Sequence, residues 1–138
     1  MREVTDERLI ELQQPSDNAS VIYSVMHLAS CLGYSETEQA LVSTAASELS
    51  TNIIKYAGSG KVYVRILSNG EKNGIEIEAV DNGPGIPDVE MAMSDSYSSG
   101  NSLGFGLQSV RRIMDEFEIK TGESEGTVVL ARKWGFKS

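Results

Sequence analysis

Cysteine and histidine are nearly missing from this sequence: Cys31 and His27 occur once each. A lone cysteine cannot close an internal disulfide, which excludes a small stapled scaffold. Cys31 sits beside Leu32 on an expected helix, so buried packing is expected of it and not redox chemistry. Positive charge is also scarce, with 12 Lys and Arg against 20 Asp and Glu, a net charge of -8 and a pI near 4.6. Surfaces that neutralise a phosphate backbone or an anionic membrane need clustered lysine and arginine, so neither nucleic acid nor membrane is an expected partner. An anionic small ligand stays open, because backbone amides, a helix N-terminus or a bound cation neutralise it locally. No apolar run approaches the ~20 residues that cross a bilayer. The opening "MREVTDERLIEL" lacks the basic-then-apolar build of a signal peptide, which points to the cytoplasm.

The chain does have enough apolar material for a core. Its 138 residues are 40% hydrophobic and 23% charged, as expected for one domain spanning 1–138, without internal repeat or linker. "ERLIELQ", Glu7 to Gln13, alternates weakly and predicts a first strand. A helix follows from about Asp17 to Leu32, with Val21, Val25, Leu28, Ala29 and Leu32 at helical spacing and Gly33 as its stop. His27 falls off that stripe and is expected at the surface, not as a catalytic base. The next helix is bounded by a capping box, Ser35 with Glu38, and by Gly58, and its inner face is Leu41, Val42, Ala45, Leu49, Ile53 and Ala57.

"KVYVRIL" and "IEIEAVD" read as two antiparallel strands joined by "SNGEKNG", with Ile75, Ile77 and Ala79 on one face and Glu76 and Glu78 on the other. From Gly83 to Gly104 the composition is that of a lid, with a short helical candidate near Val89 to Met93. "GFGLQSVRRIMDEF" resumes helical spacing through Leu107, Val110, Ile113 and Met114. A closing hairpin turns around Gly122 to Gly126, and the tail "GFKS" is expected to be unstructured. The order of elements predicts an α+β fold, a two-layer α/β sandwich whose mixed or antiparallel sheet is covered on one face by helices.

Four short patterns can carry chemistry. Glu48, Asn52 and Lys55 are spaced by four and three, so they share one face of the long helix. That face is either a solvated stripe with a Glu-to-Lys pair or a stripe that meets a ligand. Asp81 ends a strand and is followed by Gly83 and Gly85, which fits a Pro-Gly turn or a carboxylate left open to a flat ligand. Gly104 and Gly106 stand where a helix begins, as a hinge or as amides bare enough to meet phosphate. Gly126 and Thr127 open the last apolar strand, where a hairpin explains them by itself. No Walker-type loop and no dinucleotide fingerprint is present.

Taken in order, E-x-x-x-N-x-x-K, D-x-G-x-G, G-x-G-L and G-T resemble the Bergerat (GHKL) ATP-binding fold of gyrase, Hsp90, histidine kinases and MutL, over about Ser35 to Trp134. "TAASELSTNIIKYAGSGKV", "DNGPGIPD", "SDSYSSGNSLGFGL" and "VRRIMDEFEI" are similar to the free-standing anti-sigma-factor serine/threonine kinases, and most of all to stressosome switch kinases of the regulator-of-sigma-B T type. The resemblance implies ATP and Mg²⁺ as cofactors and a cytoplasmic kinase. Glu48 would be the general base, Asn52 the Mg²⁺ ligand, and Lys55 a phosphate contact. Asp81 would read the adenine amine, with Gly83 and Gly85 leaving room for the ring and Thr127 supporting the aspartate. Ile86, Gly104, Phe105, Gly106 and Leu107 would complete the nucleotide contacts. The implied acceptors are STAS-domain antagonist or scaffold proteins, with a PP2C-type phosphatase as a further partner. Two alternatives remain beside this kinase: an anti-sigma factor that sequesters a sigma factor directly, and an ATP-gated scaffold that transfers nothing.

Overall fold

The computed structural model describes residues 3–83, 103–122 and 126–137. Strand β1, Glu3–Leu12, leads through a 3₁₀ turn at Pro15–Asp17 into helix α1, Asn18–Cys31, and helix α2, Glu36–Ala57. Strands β2, Gly60–Ser68, and β3, Lys72–Asp81, form the predicted hairpin, and helix α3, Leu103–Ile113, precedes strands β4, Glu116–Gly122, and β5, Gly126–Lys137. The expected lid and its short helix lie outside the described residues. The strands form one sheet in the order β1-β2-β3-β5-β4, with every pairing antiparallel.

Local chemistry sets the helix ends. Around Ser35 both bonds of the capping box form: its hydroxyl accepts from the Glu38 amide, and the Glu38 carboxylate accepts from the Ser35 amide, each at 3.1 Å. Gly58, at φ 85°, stops α2 in the left-handed region that only glycine adopts without cost. The inner faces of the helices lie on Val62, Val64, Ile75, Ile77 and Ala131 of the sheet, so the core is a single layer between helices and strands. At the N-terminus of α1 the Asn18 amide donates to the Ser47 hydroxyl at 3.1 Å, and Ser50 donates to Asn18, which fixes α1 against α2.

Three expectations are corrected. Cys31 is exposed: it lies one turn beyond His27 on the outward flank of α1, its Sγ 3.9 Å from His27 Nε2, while Leu28 and Ala29 take the core positions. Leu41 is also exposed, because the buried side of α2 runs through Val42, Ala45, Ala46, Leu49 and Ile53 and extends to Ser43 and to Ser50, which bonds Asn18 of α1. The C-terminal tail is strand, not coil. Trp134 pairs with Gly74 and Lys137 with Lys72, and the Tyr34 ring fills the space that a side chain at Gly135 would need.

The open face of the sheet carries one row of alternating charge across all five strands. Glu7, Arg65, Glu76, Arg132 and Glu116 are successive cross-strand partners. Arg65 meets Glu7 at 2.5 Å and Glu76 at 2.7 Å, and Arg132 meets Glu76 at 2.6 Å and Glu116 at 3.0 Å. Arg65 also reaches Glu78, 2.9 Å away. Burial works against the Arg65 charge, but its three carboxylate partners outweigh that effect and hold its pKa above the ordinary arginine value.

Candidate functional site

Helix α2 is the spine of the site. At 1.5 Å per residue, Glu48 and Ala57 stand about 14 Å apart along its axis, room for an elongated ligand. Glu48 and Asn52 are half-buried and one turn apart on the same face, and Lys55 continues that face at the exposed surface, its Nζ 5.5 Å from the Tyr56 ring centre.

Helix α3 comes against this face at Gly106. A Cβ built on Gly106 would stand 2.7 Å from Glu48 Oε2, 3.4 Å from Asn52 Nδ2 and 3.6 Å from Asn52 Oδ1. Three of the predicted residues therefore converge on one point. Because α3 starts at Leu103, the backbones of Gly104, Phe105 and Gly106 lie in its first turn, where N–H groups have no intrahelical acceptor and can donate to an anion. Leu107 is sealed in the core together with Val110.

Asp81 stands at the other end of the spine. Its Oδ1 accepts from the Gly83 amide at 2.8 Å, which leaves the second carboxylate oxygen for another donor. Gly83 packs on the end of α2, where an added Cβ would meet that of Ala57 at 2.7 Å. Thr127 is the cross-strand neighbour of Asp81, and its hydroxyl lies 3.0 Å from that of Thr121. A cleft of about 440 Å³ opens on the β1–β2 side of Asp81, lined by Glu11, Lys61 and Tyr63 among others, but neither Glu48 nor Asn52 contributes to it. Gly85 and Ile86 lie outside the described residues.

Sequence reasoning missed two supports. Gly126 reads as a hairpin glycine, yet its φ of 82° and a would-be Cβ only 2.0 Å from the Asp81 carbonyl oxygen make glycine obligatory there. Ala57 reads as a core residue, whereas it is the wall that Gly83 leans on. The small residue in the last turn of α2, just ahead of Gly58, is the only signal that could have suggested this.

The donor set suits a metal ion that arrives with its ligand. Asn52 Nδ2 is buried without a hydrogen-bond partner, an orphaned polar atom of the kind a bound ligand satisfies. Among the described residues no three His, Cys, Asp or Glu side chains form a cation cage. Mg²⁺ keeps several waters and is held through one or two protein groups plus substrate phosphates, so a single amide oxygen such as that of Asn52 is the kind of donor it would take.

Comparison with known proteins adds family information to this geometry. The profile of the histidine kinase-, DNA gyrase B-, and HSP90-like ATPases matches residues 37–134. Serine/threonine-protein kinase RsbT of Bacillus subtilis (strain 168) is 43% identical over 108 residues, which are 78% of this chain and 81% of that protein. An anti-sigma F factor of Caldanaerobacter subterraneus subsp. tengcongensis is 35% identical over 101 residues, 70% of this chain and 71% of its own. Among solved structures, a chain from the SiaB-SiaC complex of Pseudomonas aeruginosa superposes with a TM-score of 0.59, covering 96% of this chain and 91% of that one. At 11% identity that match is a likeness of fold alone.

Proposed function

The chain belongs to the histidine kinase-, DNA gyrase B-, and HSP90-like ATPase family and is a serine/threonine protein kinase of the partner-switching kind, and from that premise we propose how its residues transfer phosphate. ATP lies along α2. The free oxygen of Asp81 accepts a hydrogen bond from the adenine amine, while the first-turn amides of α3 donate to the phosphates. The Asn52 oxygen would be the protein's ligand to Mg²⁺, which when bound would neutralise charge on the phosphates. Lys55 is positioned farther along the same face to approach them. Glu48 accepts the proton of a serine or threonine hydroxyl on the acceptor protein. The hydroxyl oxygen then forms its bond to the γ-phosphorus as the bond to the β–γ bridging oxygen breaks and ADP leaves.

This reading rests on one observation: the Glu48 carboxylate and the Asn52 amide converge on Gly106 in the first turn of α3. In the proposed roles these groups are a base, a metal ligand and phosphate-binding amides, and phosphoryl transfer needs little beyond positioning and charge neutralisation. The acceptor is a STAS-type antagonist protein in the cytoplasm. The added charge, about -1.5 to -2, weakens the complex and frees the kinase for another partner, a PP2C-type phosphatase. Labelled ATP, Mg²⁺ and a STAS protein test it: Glu48→Ala and Asn52→Ala should each lower transfer by about 10²-fold to 10⁴-fold with thermal unfolding unchanged. Transfer that survives both substitutions rejects the assignment. The anti-sigma relative favours a second reading, direct capture of a sigma factor, which an ATP-dependent pull-down of the sigma factor would reveal.

A further inference from the structure

Gly106 raises a question that backbone geometry leaves open. It lies inside a helix with no positive φ, where alanine is the stronger helix former, so local conformation does not call for glycine. The N–H by itself does not call for it either, since alanine has the same donor. What distinguishes the position is the neighbour. At Gly126 an added Cβ would strike the backbone carbonyl of Asp81, and at Gly74 the Trp134 ring and the Lys133 carbonyl, all fixed parts of the fold. At Gly106 the nearest atom is Glu48 Oε2, the far end of a flexible side chain, at 2.7 Å.

We propose that Gly106 is a positioning residue for the Glu48 carboxylate: its missing side chain is the space in which that carboxylate stands. Helix α3 cannot retreat to admit a methyl group, because Leu107 and Val110 anchor it in the core at 1% and 0% exposure. The carboxylate has to move instead. A misplacement of about 1 Å costs a reaction up to ~100-fold, so a methyl group here is benign for the fold and harmful for the chemistry. The catalytic part of this inference rests on the reading of Glu48 as the base; the placement itself does not.

The test is a double-mutant cycle of Gly106→Ala with Glu48→Asp, whose carboxylate is one methylene shorter and stands back from residue 106. In the wild-type background Gly106→Ala should lower kcat at least about tenfold, with KM for ATP changed less than about threefold. In the Glu48→Asp background the same change should cost less than about threefold. Equal losses in both backgrounds, or a loss carried wholly by KM, overturn the proposal. A second measurement needs no activity: the Glu48 carboxyl ¹³C resonance, identified by its disappearance in Glu48→Gln, should move in Gly106→Ala. A resonance left at the wild-type position overturns the placement. A resonance that moves while the wild type transfers no phosphate leaves the placement standing and rejects the kinase reading. Thermal unfolding completes the set: if Gly106→Ala fails to fold, the Glu48→Asp pair should restore folding, and failure in both backgrounds also overturns the proposal.

Discussion

Two sets of polar side chains, one on the open face of the sheet and one along α2, are treated in opposite ways. On the open face Glu7, Arg65, Glu76, Arg132 and Glu116 pair in one unbroken row, and the Trp134 indole donates to Glu116 at its end. On the helix side, Asn52 Nδ2 is buried without a partner and Asp81 has one carboxylate oxygen engaged by Gly83. Burying a polar group without a partner is costly; Ser43 Oγ and Asn52 Nδ2 are both so buried, and at Asn52, beside Glu48 and Gly106, a ligand is what would complete the bond. The paired row fixes the sheet, and the incomplete set lies ready for a ligand. Substitutions should therefore sort cleanly: those in the row change stability and leave nucleotide binding alone, and those in the site do the reverse.

The sharpest way to break that division is Glu76→Ala. The Glu76 side chain is only 8% exposed and stands between two arginines. Its loss leaves Arg65 and Arg132 partly buried with their shared counter-charge gone, and breaking a buried pair from one side costs about 3 kcal/mol or more. Urea unfolding should show a loss of that size, while ATP affinity changes less than about twofold. A large loss of ATP affinity in a protein still folded would mean that the open face reaches into the site, and the division would fail.

Asp81→Asn tests the other side with a smaller effect. Asparagine keeps an oxygen for the Gly83 amide, so the turn and the fold should persist. Its second position becomes an NH₂ donor, which in the proposed binding mode would face the adenine amine donor to donor. A hydrogen bond to a charged group contributes about 1.5–3 kcal/mol, so ATP affinity should fall about tenfold to a hundredfold with little change in unfolding. Titration calorimetry measures it, and an undiminished affinity would remove Asp81 from the nucleotide site.

Much of this contrast was legible in the sequence, and the rest was hidden for identifiable reasons. Helical spacing placed Val21, Val25, Leu28 and Ala29 inside α1, and a capping box with a terminal glycine bounded α2, because both signals are local. Alternation put Glu76 opposite Ile75 and Ile77, but its burial depends on Arg65 and Arg132 from two other strands, a register that no local pattern encodes. The same holds for Gly126, whose need for glycine comes from the Asp81 carbonyl 45 positions earlier. Cys31 adjoins Leu32 and Leu41 adjoins Val42, but on a helix one step turns a side chain by about 100°, which carries both to the exposed side.

Tyr34 offers the finest test, because it joins the paired set through a single neutral bond. Its hydroxyl donates to the Lys133 carbonyl at 2.7 Å, next to the strand end formed by the C-terminal tail. Burial, reinforced by Glu38 and Asp115, holds its pKa well above the ordinary value of 10.0. A phenol whose folded pKa is raised contributes fully below the unfolded pKa and loses that contribution as pH rises towards the folded one. Tyr34→Phe should therefore cost about 1 kcal/mol at pH 7 by loss of the hydrogen bond, with the ring packing on Gly135 retained. Above pH ~10 the unfolded wild type ionises Tyr34 while the folded wild type keeps its proton, so the advantage over Tyr34→Phe shrinks by about 1.4 kcal/mol per pH unit and vanishes near pH ~11. Urea unfolding of both proteins from pH 7 to 11 measures the difference directly, since every other titration is common to the pair. A gap that stays constant across pH 10 would show that the Tyr34 hydroxyl ionises as readily in the folded chain as in the unfolded one.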